Sequence, residues 1–320
     1  MILVTGATGF VGRGLCAELA ARGLPARPVS RRPAPGCFPI GSIDEQTDWR
    51  EALQGVDRVV HLAARVHVMD DRAADPLAEF RRANVAATLA LARQAAAAGV
   101  RRFVFVSSVK VNGEETGAGQ AFTAEDPPRP QDPYGVSKME AEQGLLELAR
   151  ATGMEVAIVR PPLVYGPGVG ANFRSMLRWL QRGVPLPLGA VRNRRTLVAL
   201  DNLVDLLILC LSHPGAANQV LLAGDAEDLS TPELLRRAAA ALGTRARLLP
   251  VPPVLLRVAA GAVGRGGVAR RLCSSLRLDT GKTRSLLGWT PPVSVDEALR
   301  RTAREFTTSD GHAVPKESQE

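Results

Sequence analysis

Aromatic side chains are scarce in this 320-residue chain, at 4% of the total, and so is lysine. Of 40 basic residues only Lys110, Lys138, Lys282 and Lys316 are lysines. A net charge of +8 and a sequence pI near 10 would suit a nucleic-acid partner. The arginines, however, are scattered in short pairs such as Arg101-Arg102, Arg236-Arg237 and Arg270-Arg271, and few rings are present on which bases could stack. The expectation is no nucleic acid, and a solvated basic surface suited to anionic small molecules. The cysteines Cys16, Cys37, Cys210 and Cys273 lie far apart, with no CxxC and no histidine at metal spacing. That argues against a zinc site and for reduced thiols in a cytoplasmic protein that binds no metal. No charged segment followed by an apolar run precedes the first strand. The most apolar late stretch, Val251–Val263, is interrupted by Pro252, Pro253 and Arg257 and falls short of the ~20 residues of a membrane span. No membrane insertion is expected.

What is present is an alternating pattern. With 46% hydrophobic and 22% charged residues the chain can bury a substantial core. Strand-like runs at Ile2–Thr5, Ala26–Val29, Arg58–Leu62, Phe103–Val106 and Glu155–Val159 are separated by helical stretches at Gly12–Ala21, Trp49–Leu53 (short), Leu77–Ala98 and Tyr134–Arg150. Continuous apolar strands with helices between them predict an α/β fold, a doubly wound parallel sheet covered on both faces. Gly23, Gly99 and Gly153 stand where three of the helices should stop. The spacing predicts a dinucleotide-type domain over 1–160. Past it, Pro- and Gly-rich turns predict a smaller substrate lobe over 161–306, interwoven with the sheet, and the polar stretch 307–320 predicts a disordered tail.

The first strand runs into Thr5-Gly6-Ala7-Thr8-Gly9-Phe10-Val11-Gly12 and then a helix. Glycines 6, 9 and 12 permit a tight turn, a close approach to a pyrophosphate and close helix–strand packing, and the helix N-terminus supplies N–H donors. At the head of a βαβ run this is the fingerprint of a Rossmann-type dinucleotide site. The second strand is followed by Ser30-Arg31-Arg32 and no carboxylate. Two guanidiniums where a 2′-phosphate would sit favour NADP(H), with NAD(H) left open; a plain surface role for both arginines is the competing reading. Asp44, after Ile43, can accept from an adenine amino group. The small residues of His61-Leu62-Ala63-Ala64 leave room for the middle of the cofactor, with His61 read as a packed strand residue.

Asp132-Pro133 is a helix start, an N-cap followed by proline in the first turn. Tyr134 and Lys138, four apart, share a face of that helix. The ammonium is expected to stabilise the phenolate and bring Tyr134 toward neutral pH. Ser107-Ser108 end the fourth strand at the same rim. In a chain that uses arginine nearly everywhere, lysine at 110 and 138 suggests that a compact ammonium is needed there.

These pieces, together with the Asn84-Val85 start of NVAATLALA, FVFVSSVKVNG, RPPLVYGPG and RRTLVALDN, resemble the extended short-chain dehydrogenase/reductases that act on nucleotide sugars. The likeness covers about residues 1–305. It implies that Ser108 and Tyr134 hydrogen-bond the sugar oxygen being oxidised or reduced, and that Lys138 also holds the nicotinamide ribose. Pro161 joins the cofactor contacts, and Asn172 and Arg195 contact the diphosphate of a UDP-linked sugar. A second phosphate-binding arginine falls among Arg270, Arg271 and Arg277. Lys110 is read either as an added substrate contact or as a rim salt-bridge residue. Relatives that are dehydratases carry an Asp-Glu pair after the serine; here Val109 and Lys110 stand there, which excludes dehydration. Two activities remain. One is reduction of a UDP-4-keto-6-deoxy-N-acetylhexosamine at C4, as in bacterial surface-polysaccharide (O-antigen) synthesis, which the Arg31-Arg32 pair favours. The other is a UDP-hexose or UDP-N-acetylhexosamine 4-epimerase with bound NAD, from whose pattern Asn112 departs. A non-catalytic NADP-binding regulator is the remote third. The Ala-rich helices also suit a homodimer.

Overall fold

Strands that are apolar at every position need cover on both faces, and the order of their neighbours decides where the ligand crevice opens. The structure, a computed structural model, describes residues 1–66, 75–262 and 266–310. The chain begins with β1 (Ile2–Thr5), α1 (Phe10–Ala21), β2 (Ala26–Ser30), β3 (Phe38–Pro39) and β4 (Arg58–His61). Next come α2 (Pro76–Phe80), a π-helical segment (Arg81–Ala86), α3 (Ala87–Ala97), β5 (Arg102–Val106), α4 (Pro133–Thr152) and β6 (Glu155–Arg160). The remainder is β7 (Leu163–Tyr165), α5 (Ala171–Gln181), β8 (Leu197–Ala199), α6 (Leu200–Cys210), β9 (Gln219–Leu222), α7 (Thr231–Ala241), α8 (Pro253–Ala262), α9 (Gly266–Cys273), α10 (Gly281–Leu287) and α11 (Val295–Asp310).

Seven strands form one sheet in the order β3-β2-β1-β4-β5-β6-β9, every pair parallel. The order reverses between β1 and β4, which is where such sheets open a crevice at their carboxyl ends. Successive side chains face opposite ways. Ile2 and Val4 join Val60, Val104, Ala157 and Val159 in one core layer. Leu3 joins Val59, Phe103, Phe105, Val156 and Ile158 in the other. Helices α1 and α6 cover the first layer, and α3 and α4 the second. The expected doubly wound parallel sheet is therefore borne out.

The late segments build a third core. Tyr165, Phe173 and Leu177 pack with Leu235, Leu299 and Phe306 of α7 and α11, beside the two-stranded ladder β7–β8. Tyr165 donates to the Asp225 carboxylate at 2.8 Å, and Asp225 also accepts from the Ala199 amide and the Asn202 side chain. This knot ties β7 and α6 to the turn after β9.

Two expectations need correction. Residues 49–53 form turns with a single helical hydrogen bond, Leu53 N–H to the Trp49 carbonyl at 2.9 Å, rather than a helix. Trp49 and Leu53 are buried against the sheet, so packing takes the apolar residues that suggested periodicity. The expected tail also begins too early. Thr307 to Asp310 are the last turn of α11, where the Thr307 and Thr308 hydroxyls both donate to the Arg304 carbonyl at 2.9 Å. Residues 311–320 of that tail lie outside the described residues.

One ion pair is fully enclosed. Arg160, at the end of β6, meets Glu142 of α4 through three contacts of 2.5–3.2 Å, and both residues are buried. Arg160→Met leaves a buried carboxylate without a cation and should lower the unfolding free energy by about 3–5 kcal/mol. In urea denaturation the Arg160→Met/Glu142→Met double variant should recover most of that loss.

Candidate active site

The glycine turn is built by exclusion. Gly6 adopts φ +67°, and a Cβ there would stand 2.8 Å from the Ala63 amide nitrogen. A Cβ at Gly12 would lie 2.1 Å from the Gly6 carbonyl oxygen, so no side chain fits where α1 crosses the turn. Helix α1 begins at Gly9 with no side-chain cap and no carboxylate in its first turn. The N–H groups of that first turn have no intrahelical partner and face an anion-attracting pole. Phe10, Val11 and Leu62 pack against the first core layer just below.

The switch point is held by a chain of hydroxyls. The Thr5 Oγ1 accepts from the Leu62 and Ala63 amides at 3.2 and 3.3 Å and meets His61 Nδ1 at 2.7 Å. With both amides donating to it, the Thr5 hydroxyl gives its own proton to Nδ1, and Nε2–H donates to Thr88 Oγ1 at 2.9 Å. Burial and then the charge of Lys138 push the His61 pKa down to about 3. His61 is thus a neutral strut, as its place in the strand suggests, and no acid–base group. From the π-helical segment the buried Asn84 clasps the loop after β4. Its Oδ1 accepts from the Arg65 amide at 2.8 Å, and its Nδ2 donates to the Arg65 carbonyl and to Ser137 Oγ. Of the flanking residues, Ala63 and Ala64 are half-buried on that loop.

Beyond β2, Ser30 Oγ donates to the Arg32 carbonyl at 2.6 Å, which bends the strand end so that Arg31 and Arg32 stand exposed. Asp44 Oδ1 accepts from the Gln46 amide and the Thr47 hydroxyl. Hydrogen bonding, from Ser42 first, holds its carboxyl below the usual carboxylate range. Ile43 packs into the second core layer.

Ser108, Tyr134 and Lys138 come together at the end of β5. Asp132 caps α4 by accepting from the Gly135 amide at 2.7 Å, with Pro133 in the first turn. One helical turn apart, Tyr134 and Lys138 face the end of β5, with Lys138 Nζ 5.9 Å from the Tyr134 ring centroid. The Ser108 side chain lies close enough to Tyr134 to favour its ionised form. Pro161 holds the serine loop, its carbonyl accepting from the Val109 amide at 3.0 Å. Lys138 is 2% exposed; its ammonium donates to the Val106 carbonyl at 2.8 Å and lies 4.4 Å over the Phe105 ring. The expected lowering of the Tyr134 pKa is not what this arrangement gives. Burial, then the Asp132 carboxylate, push it up to about 12, with the Ser108 side chain opposing. Burial brings Lys138 down to about 7, with Glu142 opposing. The ammonium is so desolvated that its own charge is costly.

These residues fit a dinucleotide. The glycine turn excludes side chains from the path of a pyrophosphate. Two of the three N–H bonds of Lys138 stay available for ribose hydroxyls. The Ser107 hydroxyl is buried with no partner among the described residues.

On the substrate side, Lys110 places its ammonium against the Asp132 carboxylate and 3.4 Å from Glu114. Asn172 is exposed in the first turn of α5, after Ala171 at φ +49°. Arg195 donates to the Arg271 and Ser274 carbonyls at 2.8 and 3.1 Å. Burial and the nearby Arg271 charge lower its pKa. Of the three arginines left open, Arg270 meets Glu114 at 3.2 Å and Arg277 meets Asp228 at 2.8 Å. Arg271 has no carboxylate partner among the described residues and stands beside Arg195. Asn84, Thr5 and the Glu142–Arg160–Asn112 chain, in which Arg160 donates to Asn112 at 3.0 Å, are positioning groups that sequence spacing did not reveal.

The profile of the NAD dependent epimerase/dehydratase family matches residues 2–224. The chain belongs to that family. It is 44% identical over 311 residues to a UDP-glucose 4-epimerase of Vibrio cholerae, covering 95% of each chain. It is 26% identical to the N-acetyl-alpha-D-glucosaminyl-diphospho-ditrans,octacis-undecaprenol 4-epimerase of Escherichia coli O157:H7, covering 94% of this chain and 93% of that one. Among solved structures, MoeE5 in complex with UDP-glucose and NAD superposes with a TM-score of 0.76 at 29% identity, covering 96% of this chain and 99% of that one. The extended short-chain dehydrogenase/reductase resemblance is borne out, and with it a nicotinamide cofactor.

The Lys138 pKa of about 7, against an ordinary 10.5, carries a pH signature. Between those values the unfolded chain holds a proton that the folded chain releases, so this group's contribution to stability falls as pH drops from 10.5 toward 7. In denaturant titrations between about pH 7.5 and about pH 9, wild type should gain stability relative to Lys138→Met, approaching ~1.4 kcal/mol per pH unit. Parallel curves would show that the ammonium is not desolvated.

Proposed function

We propose that this protein is a UDP-sugar 4-epimerase that uses a bound nicotinamide dinucleotide. The observation that carries the reading is the meeting of Ser108, Tyr134 and Lys138 beside the glycine turn, in a chain 44% identical, end to end, to a UDP-glucose 4-epimerase. Bound, the cofactor would supply a ring that accepts and returns a hydride. Gly6, Gly9, Gly12 and the N–H groups of Phe10 and Val11 would hold its pyrophosphate; Ser30, Arg31, Arg32, Ile43 and Asp44 its adenosine end; Leu62, Ala63, Ala64, Pro161, Tyr134 and Lys138 the remainder.

The protein's own part is proton handling and orientation. Tyr134 takes the proton of the C4 hydroxyl as that carbon is oxidised and gives it back when the carbon is reduced, so nothing is consumed. Ser108 donates to the C4 oxygen and fixes its position. Lys138 stabilises the phenolate that forms in between. Arg195 and Arg271, two guanidiniums without carboxylate partners among the described residues, bind the diphosphate, and Asn172 adds an amide contact to it.

A second reading, NADPH-dependent reduction of a UDP-4-keto-6-deoxy-N-acetylhexosamine, is favoured by one feature, the exposed Arg31-Arg32 pair where an acidic residue would select NAD. The two separate cleanly. Interconversion of UDP-glucose with UDP-galactose, or of their N-acetylated forms, without net cofactor oxidation is the expected result. Stoichiometric NADPH oxidation by the 4-keto sugar, with no interconversion, would establish the reductase instead. In either assay Tyr134→Phe should lose roughly a hundred- to ten-thousand-fold in kcat, while cofactor binding, read by nicotinamide fluorescence, persists.

A further inference from the structure

Helix α8 has no buried residue, yet it is built from valine, leucine and alanine. Val254, Leu255 and Val258 are 67%, 58% and 67% exposed. At spacings of three and four they project from one face, whereas Leu256 and Ala260 are half-buried and the helix packs on α9. Helix α9 adds a second exposed pair one turn apart, Val268 and Leu272, and Leu249 is exposed just before α8. Core packing does not account for these residues. The two helices themselves carry charge of one sign, although Arg270 is met by Glu114 at 3.2 Å and Ser274 donates to Glu115. No aspartate or glutamate occurs between Val251 and Leu276, and Arg257, Arg270 and Arg271 are all exposed.

We propose that the α8–α9 pair docks on the surface of an anionic phospholipid bilayer. Apolar side chains flanked by the exposed guanidiniums of Arg257 and Arg271 suit the boundary between headgroups and acyl chains, where the former are buried and the latter meet phosphates. Among the described residues no helix is long and apolar enough to cross a membrane, so the contact is superficial. A second copy of this chain is a poorer occupant: a twofold contact sets the same patch against itself and brings the arginines together. Because Arg271 of α9 stands beside Arg195, docking would hold the diphosphate-binding rim close to the lipid headgroups. The inference stands apart from the epimerase reading.

The test is co-sedimentation of the full chain with vesicles of equimolar phosphatidylglycerol and phosphatidylcholine, against vesicles of phosphatidylcholine alone. Wild type should pellet with the anionic vesicles and be released as salt is raised. Leu255→Glu/Val258→Glu, at two exposed positions outside the catalytic machinery, should weaken partitioning at least about tenfold while the thermal midpoint and turnover of soluble UDP-sugar stay unchanged. The proposal is overturned if wild type stays in the supernatant, if the double variant partitions as well as wild type, or if light scattering shows that the double variant has dissociated a dimer, which would assign the face to a second copy.

Discussion

A lysine whose side chain is almost wholly out of water constrains everything around it. The ammonium of Lys138 rests on the Val106 carbonyl and the Phe105 ring, at the point where β5 ends. Burying such a charge is costly unless partners are fixed in advance. Glu142, one turn farther along α4, supplies the opposing charge. It is itself locked by Arg160 from β6, whose remaining donor goes to Asn112 of the serine loop. The strand ends, α4 and the serine loop are thereby held to one another through charged groups rather than through apolar contacts alone. Burial first, and then the same cation, keeps His61 neutral, so that it serves as a hydrogen-bonded strut between Thr5 and Thr88.

This arrangement also explains the side of the sheet on which the chemistry lies. The apolar strands β1, β4, β5 and β6 leave no polar group in their interior, so polar groups sit at the strand ends. Arg58, Arg102 and Glu155 stand at the amino ends, and hydroxyls collect at the carboxyl ends, where the strand order reverses. Thr5, His61 and Ser107 each occupy the last positions of a strand or the residue after it. The glycine turn, Asn84 and the N-terminus of α4 then close on that rim from three directions.

Much of this was legible in the amino-acid order, because the signals are local. A helix needs a cap, and Asp132-Pro133 supplied one; a pyrophosphate needs glycines, and 6, 9 and 12 were in place. Parallel strands buried on both faces read as unbroken apolar runs. The parts that sequence missed depend on contacts between distant segments. Arg160 and Glu142 are 18 residues apart, and nothing about either alone distinguishes a buried pair from two surface charges. The short helix expected at 49–53 failed for a related reason: Trp49 and Leu53 are apolar because the sheet needs cover there, and one turn suffices to present them. Among arginines 270, 271 and 277, only contacts between distant segments show that Arg270 and Arg277 already meet carboxylates.

Tyr134 shows how the field at the site is balanced. Asp132 caps α4, yet after burial its charge is the next cause that raises the phenol's pKa. Lys110 answers that conflict. Its ammonium is set against the same carboxylate, 6.0 Å from the Tyr134 ring centroid, so that the cap keeps its hydrogen bond to Gly135 while its charge is met by an opposite one. The two lysines in an arginine-rich chain then flank the same ring: Lys138 Nζ lies 5.9 Å from the Tyr134 centroid, and Lys110 meets the carboxylate that raises the phenol's pKa. A compact ammonium suits both places, because each must fit between a helix terminus and the end of β5.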